Sequence, residues 1–324
     1  MEYVKLGRSD LVSSVVALGG GGPSRLGLST GSTRGEAIAL IRRAFDLGIT
    51  MFDSKGIIGG ADEIIGEALR PVRQQVLIST KVNLAPAPGL VSRYRMLHRV
   101  AARTAETLGL VADAAAVRSH VERTLRALAS DRLEVLHLHA VVPGQYAKAV
   151  ERALPVLQRL KADGLIRAIG ITESFTRDPG HETLTRALGD DFPDVVMTGF
   201  NMLNRSARSS VLPAAANRGV GVMGMFAVRQ GLRSEADLVR ALHRGPGALP
   251  VDEAAQRAAA FMRLLRDWGV PSLSHAAYRY CRHERGIDVI LVGTGNPTHL
   301  EQNVAAALAG PLPEPVLRAV EALT

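Results

Sequence analysis

Eight short, apolar, β-branched runs alternate with helix-patterned segments along nearly all of this 324-residue chain, and that alternation constrains the fold most. The runs are Val15–Leu18, Thr50–Asp53, Gln75–Thr80, Glu134–Leu138, Ile166–Ile171, Val195–Thr198, Val220–Met225 and Val289–Val292. Runs that are apolar throughout, rather than at every second position, suit strands covered on both faces. Between them, Ile38, Ile41 and Phe45 mark one stripe of a helix over Arg34–Leu47, which Gly48 ends. Asp113 is placed to cap a helix carrying Val117, Val121, Leu125 and Leu128 at helical spacing. Further helices are expected over Ala147–Ala162, Glu182–Leu188, Ala207–Asn217 and His299–Ala309. Without a break in composition, these repeats predict a single (β/α)8 TIM barrel domain spanning residues 1–324. Tyr3–Gly7 and Asp10–Ser13 fall before the first strand, as a β-hairpin across the barrel bottom. Two long connections, Val82–Val111 and Leu232–Pro250, fall at the C-terminal mouth, where such loops shape substrate pockets.

Composition narrows the setting. Hydrophobic residues make up 47% of the chain, enough for a large core, and no stretch approaches the length of a membrane span. The N-terminus lacks the pattern of a signal peptide, and Cys281 is the only cysteine, so a cytoplasmic protein without disulfides is expected. The net charge is +8, yet only five of the cations are lysines and the arginines are scattered among Ala-rich helices. No basic run or recognition motif accompanies them, so neither nucleic acid nor membrane is expected as a partner. A small-molecule substrate and a monomer or homodimer remain. No cluster of His, Glu and Asp has the spacing of a metal site.

In a barrel of this kind chemistry sits at the C-terminal strand ends. Those positions hold Asp53 after the second strand, Lys81 after the third and His139 after the fourth. Three different ionisable groups on successive strands converge there. His137, inside the fourth strand, can face either layer.

The segments Tyr3-Val-Lys-Leu-Gly-Arg-Ser, Ile49-Thr-Met-Phe-Asp-Ser, Ile78-Ser-Thr-Lys-Val, Gly164-Leu-Ile-Arg-Ala-Ile-Gly-Ile-Thr and Val292-Gly-Thr-Gly-Asn-Pro resemble the aldo/keto reductase superfamily, in order and at its spacing. The resemblance implies a barrel that binds NAD or NADP across its mouth and reduces carbonyls with a tetrad. In that tetrad Tyr donates a proton, Lys assists it, Asp pairs with Lys and His orients the substrate oxygen. Asp53, Lys81 and His139 match three members. The tyrosine position, five residues after the aspartate, is occupied by Ile58, which has no proton to give.

The resemblance also assigns the cofactor contacts, several of them altered. Thr172 and Glu173 stand where a Ser-Asn pair meets the carboxamide, and Met197 replaces a glutamine. Met225 takes the place of the stacking aromatic, with Phe226 beside it. Gly293, Thr294 and Gly295 open a helix whose backbone amides can cradle phosphate. His299 and Gly293 replace an arginine and a lysine that meet the 2′-phosphate, which favours NAD over NADP; Gln302 and Asn303 fall at the adenine.

Lys55, two residues after Asp53, is the candidate replacement acid, as like-charge repulsion from Lys81 lowers an ammonium pKa. Tyr94 and His98 lie in the long third connection, with Arg93, Arg95 and Arg99 available to an anionic substrate. The expected activity is an NAD(P)-dependent oxidoreductase for a carbonyl or secondary alcohol. Two alternatives stand beside it. One is a non-redox elimination, isomerisation or cyclisation at Lys81 and His139, with Glu173 as a possible base; the other is a non-catalytic binding protein.

Overall fold

The computed structural model describes residues 1–55, 60–82, 84, 113–229, 232–245 and 247–323. Ile58, Tyr94, His98 and the three arginines of the third connection lie outside them. The chain opens with a two-stranded antiparallel hairpin, β1 (Tyr3–Lys5) and β2 (Val12–Ser14). Eight parallel strands follow: β3 (Val16–Gly19), β4 (Met51–Asp53), β5 (Leu77–Val82), β6 (Leu133–Val141), β7 (Ile166–Glu173), β8 (Val195–Gly199), β9 (Gly221–Met225) and β10 (Val289–Val292). They close in chain order, β10 pairing back onto β3, into the expected (β/α)8 barrel.

Helices pack outside: α1 (Arg34–Asp46), α2 (Ala61–Leu69), α3 (Ala114–Ala127), α4 (Pro143–Ala162), α5 (Glu182–Gly189), α6 (Val211–Arg218), α7 (Glu235–Arg244), α8 (Val251–Asp267), α9 (Leu273–Arg282), α10 (Pro297–Leu308) and α11 (Glu314–Glu321). Local chemistry starts and stops them as the sequence suggests. Thr33 and Glu36 form a reciprocal capping box on α1, and Asp113 accepts from the Ala116 amide at the start of α3. The connection 232–250 is not the plain loop expected, because it contains α7, capped by Ser234. No described helix is long and apolar enough to cross a membrane.

Two apolar layers hold the fold. The outer layer joins strand faces such as Phe52, Leu136 and Ile171 to helix stripes such as Ile41, Val121 and Leu157. The inner layer, made by Ala17, Met51, Val135, Ala168, Val195, Met197, Met223 and Val289, fills the barrel itself. Leu6 and Leu11 of the hairpin enter this inner layer from below and are fully buried. Each such leucine contributes roughly 1.5–3 kcal/mol by leaving water. The hairpin turn lies flat because Gly7, at φ +56, sits where a Cβ would come 2.2 Å from the Gly221 nitrogen. The bottom is stoppered and the mouth is the open end.

Candidate active site

Strand alternation builds the mouth. Asp53, Ser79 and Lys81 lie on the inner face of β4 and β5, and His137 and His139 on the inner face of β6. Asp53 Oδ1 accepts from Lys81 Nζ at 2.6 Å and from Ser79 Oγ at 2.8 Å. Lys81 Nζ donates again to the Ser54 carbonyl at 2.7 Å. Both charged partners are buried, and a buried pair keeps its place only when such hydrogen bonds satisfy it. An ammonium has three protons, and two of those on Lys81 are used among the described residues. Among the described residues no acceptor takes the third.

His137 is settled by its neighbour. A Cβ on Gly170 would come 2.2 Å from His137 Nδ1, so the glycine is the space the ring occupies. Its Nε2 meets Ser79 Oγ at 3.1 Å, one layer below the Asp53–Lys81 pair. Burial, reinforced by the Lys81 charge, pushes its pKa far below the ordinary histidine range. His139 lies one pleat nearer the mouth, half-buried. Burial and then the charges of Lys81, Lys55 and His120 lower its pKa to about 3. Both imidazoles are therefore neutral at pH 7. His139 can donate a hydrogen bond, but it has no extra proton to supply.

Lys55 is exposed at the rim, its Cβ facing Gly21. The buried group that sequence reasoning missed is Asp62, in the first turn of α2. It is fully buried, and the Ser54 hydroxyl is the hydrogen-bonding group that acts on its carboxyl among the described residues. Burial raises its pKa to about 6, against the pull of the Ser54 hydroxyl and the Lys81 charge. Only the fold places it there; no spacing links it to Asp53. A carboxyl whose folded pKa exceeds its unfolded one binds extra protons when folded, so its contribution is lost as pH rises from about 4 to 6. Asp62→Asn is accordingly expected to gain on the wild type by about 2.5 kcal/mol between pH 4 and pH 7, measured by urea unfolding at both pH values. Equal relative stabilities at the two pH values would refute it.

The expected cofactor residues divide. Phe226, Gly293, Thr294, Gly295 and His299 line a cleft of about 940 Å³. Gln302 and Asn303 line a second cleft of about 680 Å³. The two share Val228, Arg233, Gly293, Thr294 and His299, so they join into one long groove. Phe226, in the left-handed region at φ 71, forms part of its wall. The Arg229 guanidinium stacks 4.3 Å over its ring and Phe175 packs at 5.6 Å. Met225 instead packs half-buried onto the inner layer, and Met197 is part of that layer.

Two contacts differ from expectation. The Thr298 and His299 amides at the start of α10 already donate to Asn296 Oδ1, so this cap occupies two amides that phosphate would use. Glu173 has the opposite parity to Thr172 and points away from the mouth. Its Oε2 lies 2.6 Å from His181 Nδ1, while Oε1 accepts from Thr198 Oγ1 at 3.0 Å and the Gly199 amide at 2.8 Å. That carboxylate ties the end of β7 to β8 and to the loop before α5. It is not available as a base at the mouth. Thr172 does face inward, and its Oγ1 accepts from the Ala140 amide at 2.7 Å.

The described residues form a parallel barrel with a lysine–aspartate pair and a histidine at its open end, beside a cleft lined by the glycine-rich turn after β10. Residues 16–324 match the model of the aldo/keto reductase family, and the chain belongs to that family. It is 28% identical over 317 residues to L-galactose dehydrogenase of Arabidopsis thaliana, covering 94% of this chain and 88% of that protein. It is 26% identical to D-threo-aldose 1-dehydrogenase of a Pseudomonas species, with 91% and 90% covered. To the NADH-specific methylglyoxal reductase of Escherichia coli it is 24% identical, with 94% and 93% covered. Among solved structures, an aldo-keto reductase from Bacillus halodurans in its holo form superposes with a TM-score of 0.73 at 22% identity, covering 100% and 96%.

Proposed function

We propose that this protein is an NAD(P)-dependent oxidoreductase for a small carbonyl compound or the corresponding secondary alcohol, with NAD the preferred cofactor. The observation that carries the reading is the convergence of the Asp53–Lys81 pair and a neutral His139 at the mouth. A dinucleotide fits the residues present: the groove runs from Phe226 past Gly293, Thr294 and His299 to Gln302 and Asn303. Bound there, the nicotinamide would supply or accept hydride.

The chain's own groups do the rest. Lys81, fixed by Asp53 and the Ser54 carbonyl, directs its remaining N–H at the substrate oxygen and stabilises the charge that develops there. His139 donates a second hydrogen bond to the same oxygen. The proton that completes the alcohol comes from the Lys55 ammonium or from water, because Ile58 offers none and His139 is neutral. Phe226, held between Arg229 and Phe175, offers a face for an aromatic ring.

The NAD preference rests on His299 and Gly293 standing where an arginine and a lysine would meet a 2′-phosphate. The pairing of Arg43 with Glu301 and of Arg233 with Asp237 supports it. Calorimetric titration is expected to give micromolar binding of NADH, at least about tenfold tighter than NADPH, a difference of ~1.4 kcal/mol. Tighter binding of NADPH would overturn the preference. No binding of either up to millimolar concentrations would overturn the redox assignment, and turnover without a dinucleotide would support non-redox chemistry at Lys81 and His139.

A further inference from the structure

The ladder between β6 and β7 changes register at the mouth. Leu138 pairs with Ile171 and Val141 with Glu173, so His139 and Ala140 together face the single residue Thr172. This is a bulge with one extra residue, and bulges re-aim the side chains around them. Ala140 absorbs the extra residue at φ 49, a conformation that alanine adopts only when its surroundings hold it there. What holds it is on the page: its amide donates to Thr172 Oγ1 at 2.7 Å, and Thr172 is buried.

Pairing without the bulge would set Ala140 opposite Glu173 and turn Val141, now buried on the outer face, inward over the imidazole. We infer that Thr172 is a positioning residue for the mouth: its hydroxyl oxygen pins the bulge that holds Val141 on the outer face and off the imidazole of His139. A hydroxyl accepts and donates at once, so the same residue keeps its proton for a cofactor amide. That second role rests on the proposed function; the first does not.

The test compares Thr172→Val, which keeps the shape and removes the oxygen, with Thr172→Ser, which keeps the oxygen. The readout is the imidazole titration of His139 by ¹H–¹⁵N NMR, on the full chain without added dinucleotide. In the wild type the charges of Lys81, Lys55 and His120 act on this ring. In Thr172→Val, Val141 turned inward is expected to change the ring's surroundings and move its titration and ring chemical shifts clearly from the wild type, while Thr172→Ser stays at the wild-type values. At saturating cofactor, kcat of the valine variant should fall about 10- to 100-fold.

Ala140→Gly guards against a folding defect. Glycine adopts the left-handed conformation without strain, so the Ala140→Gly, Thr172→Val double variant should recover the wild-type titration. An unchanged His139 titration in folded Thr172→Val would overturn the inference, as would failure of the double variant to recover it. A purely cofactor-contacting threonine would leave His139 unmoved in the absence of cofactor. If the wild type bound no dinucleotide while Thr172→Val still shifted His139, the redox assignment would fall and the positioning role would stand.

Discussion

Lys81→Met is expected to lower kcat/KM for carbonyl reduction by about 10²–10⁴-fold, roughly 3–5 kcal/mol of barrier. The methionine keeps much of the apolar stem and removes the charge that stabilises the developing oxyanion. It also leaves Asp53 buried without its cation, and breaking a buried pair in this way costs about 3–5 kcal/mol of stability. The two losses separate experimentally. Turnover is measured at a temperature where circular dichroism shows the variant folded, and dinucleotide affinity is measured alongside. Retained affinity with lost turnover marks Lys81 as chemical. Retention of more than a tenth of wild-type turnover would remove it from the mechanism. Asp53→Asn offers a milder companion, since the amide can still accept from Lys81 and Ser79 but brings no charge.

The second large effect runs the other way. On the sequence reading Ile58 takes the place of a proton-donating tyrosine, and we expect Ile58→Tyr to raise kcat for carbonyl reduction about 10²–10⁴-fold, the usual worth of a positioned general acid. A new alkaline limb in the pH–rate profile should accompany the gain, reporting the added phenol. The partners such a phenol needs are present, since Lys81 and its aspartate are already paired. A tyrosine variant no faster than the wild type would mean that the site is not arranged for carbonyl reduction.

Much of this was legible in the sequence, and the reasons are physical. The eight barrel strands are apolar on both faces, so each run stands out against its amphipathic neighbours; β10 ends at both residues expected of it. Cap chemistry is equally local, which is why Asp113 and Gly48 mark their helices correctly. Asp53, Lys81 and His139 could be read because strand ends are where a barrel collects its polar groups. What could not be read depends on which way a side chain turns at a rim. Parity sends Glu173 outward to His181 although its neighbour Thr172 faces in, and the bulge at Ala140 has no signature in a run reading Leu-His-Ala-Val. Asp62 is close in sequence to the site, yet its burial depends on how α2 docks. Helix α7 lay hidden because Gly231 and the Gly-Pro-Gly of 245–247 made the whole stretch look like a loop.

The hairpin stopper has a kinetic consequence. With Leu6 and Leu11 closing the far end and side chains filling the interior, both ligands meet the described part of the chain at the mouth. Molecules that share one doorway must queue. Whichever ligand lies deeper has to arrive first and leave last, so the steady state should show compulsory order, with each product inhibiting in the pattern its place in the line dictates.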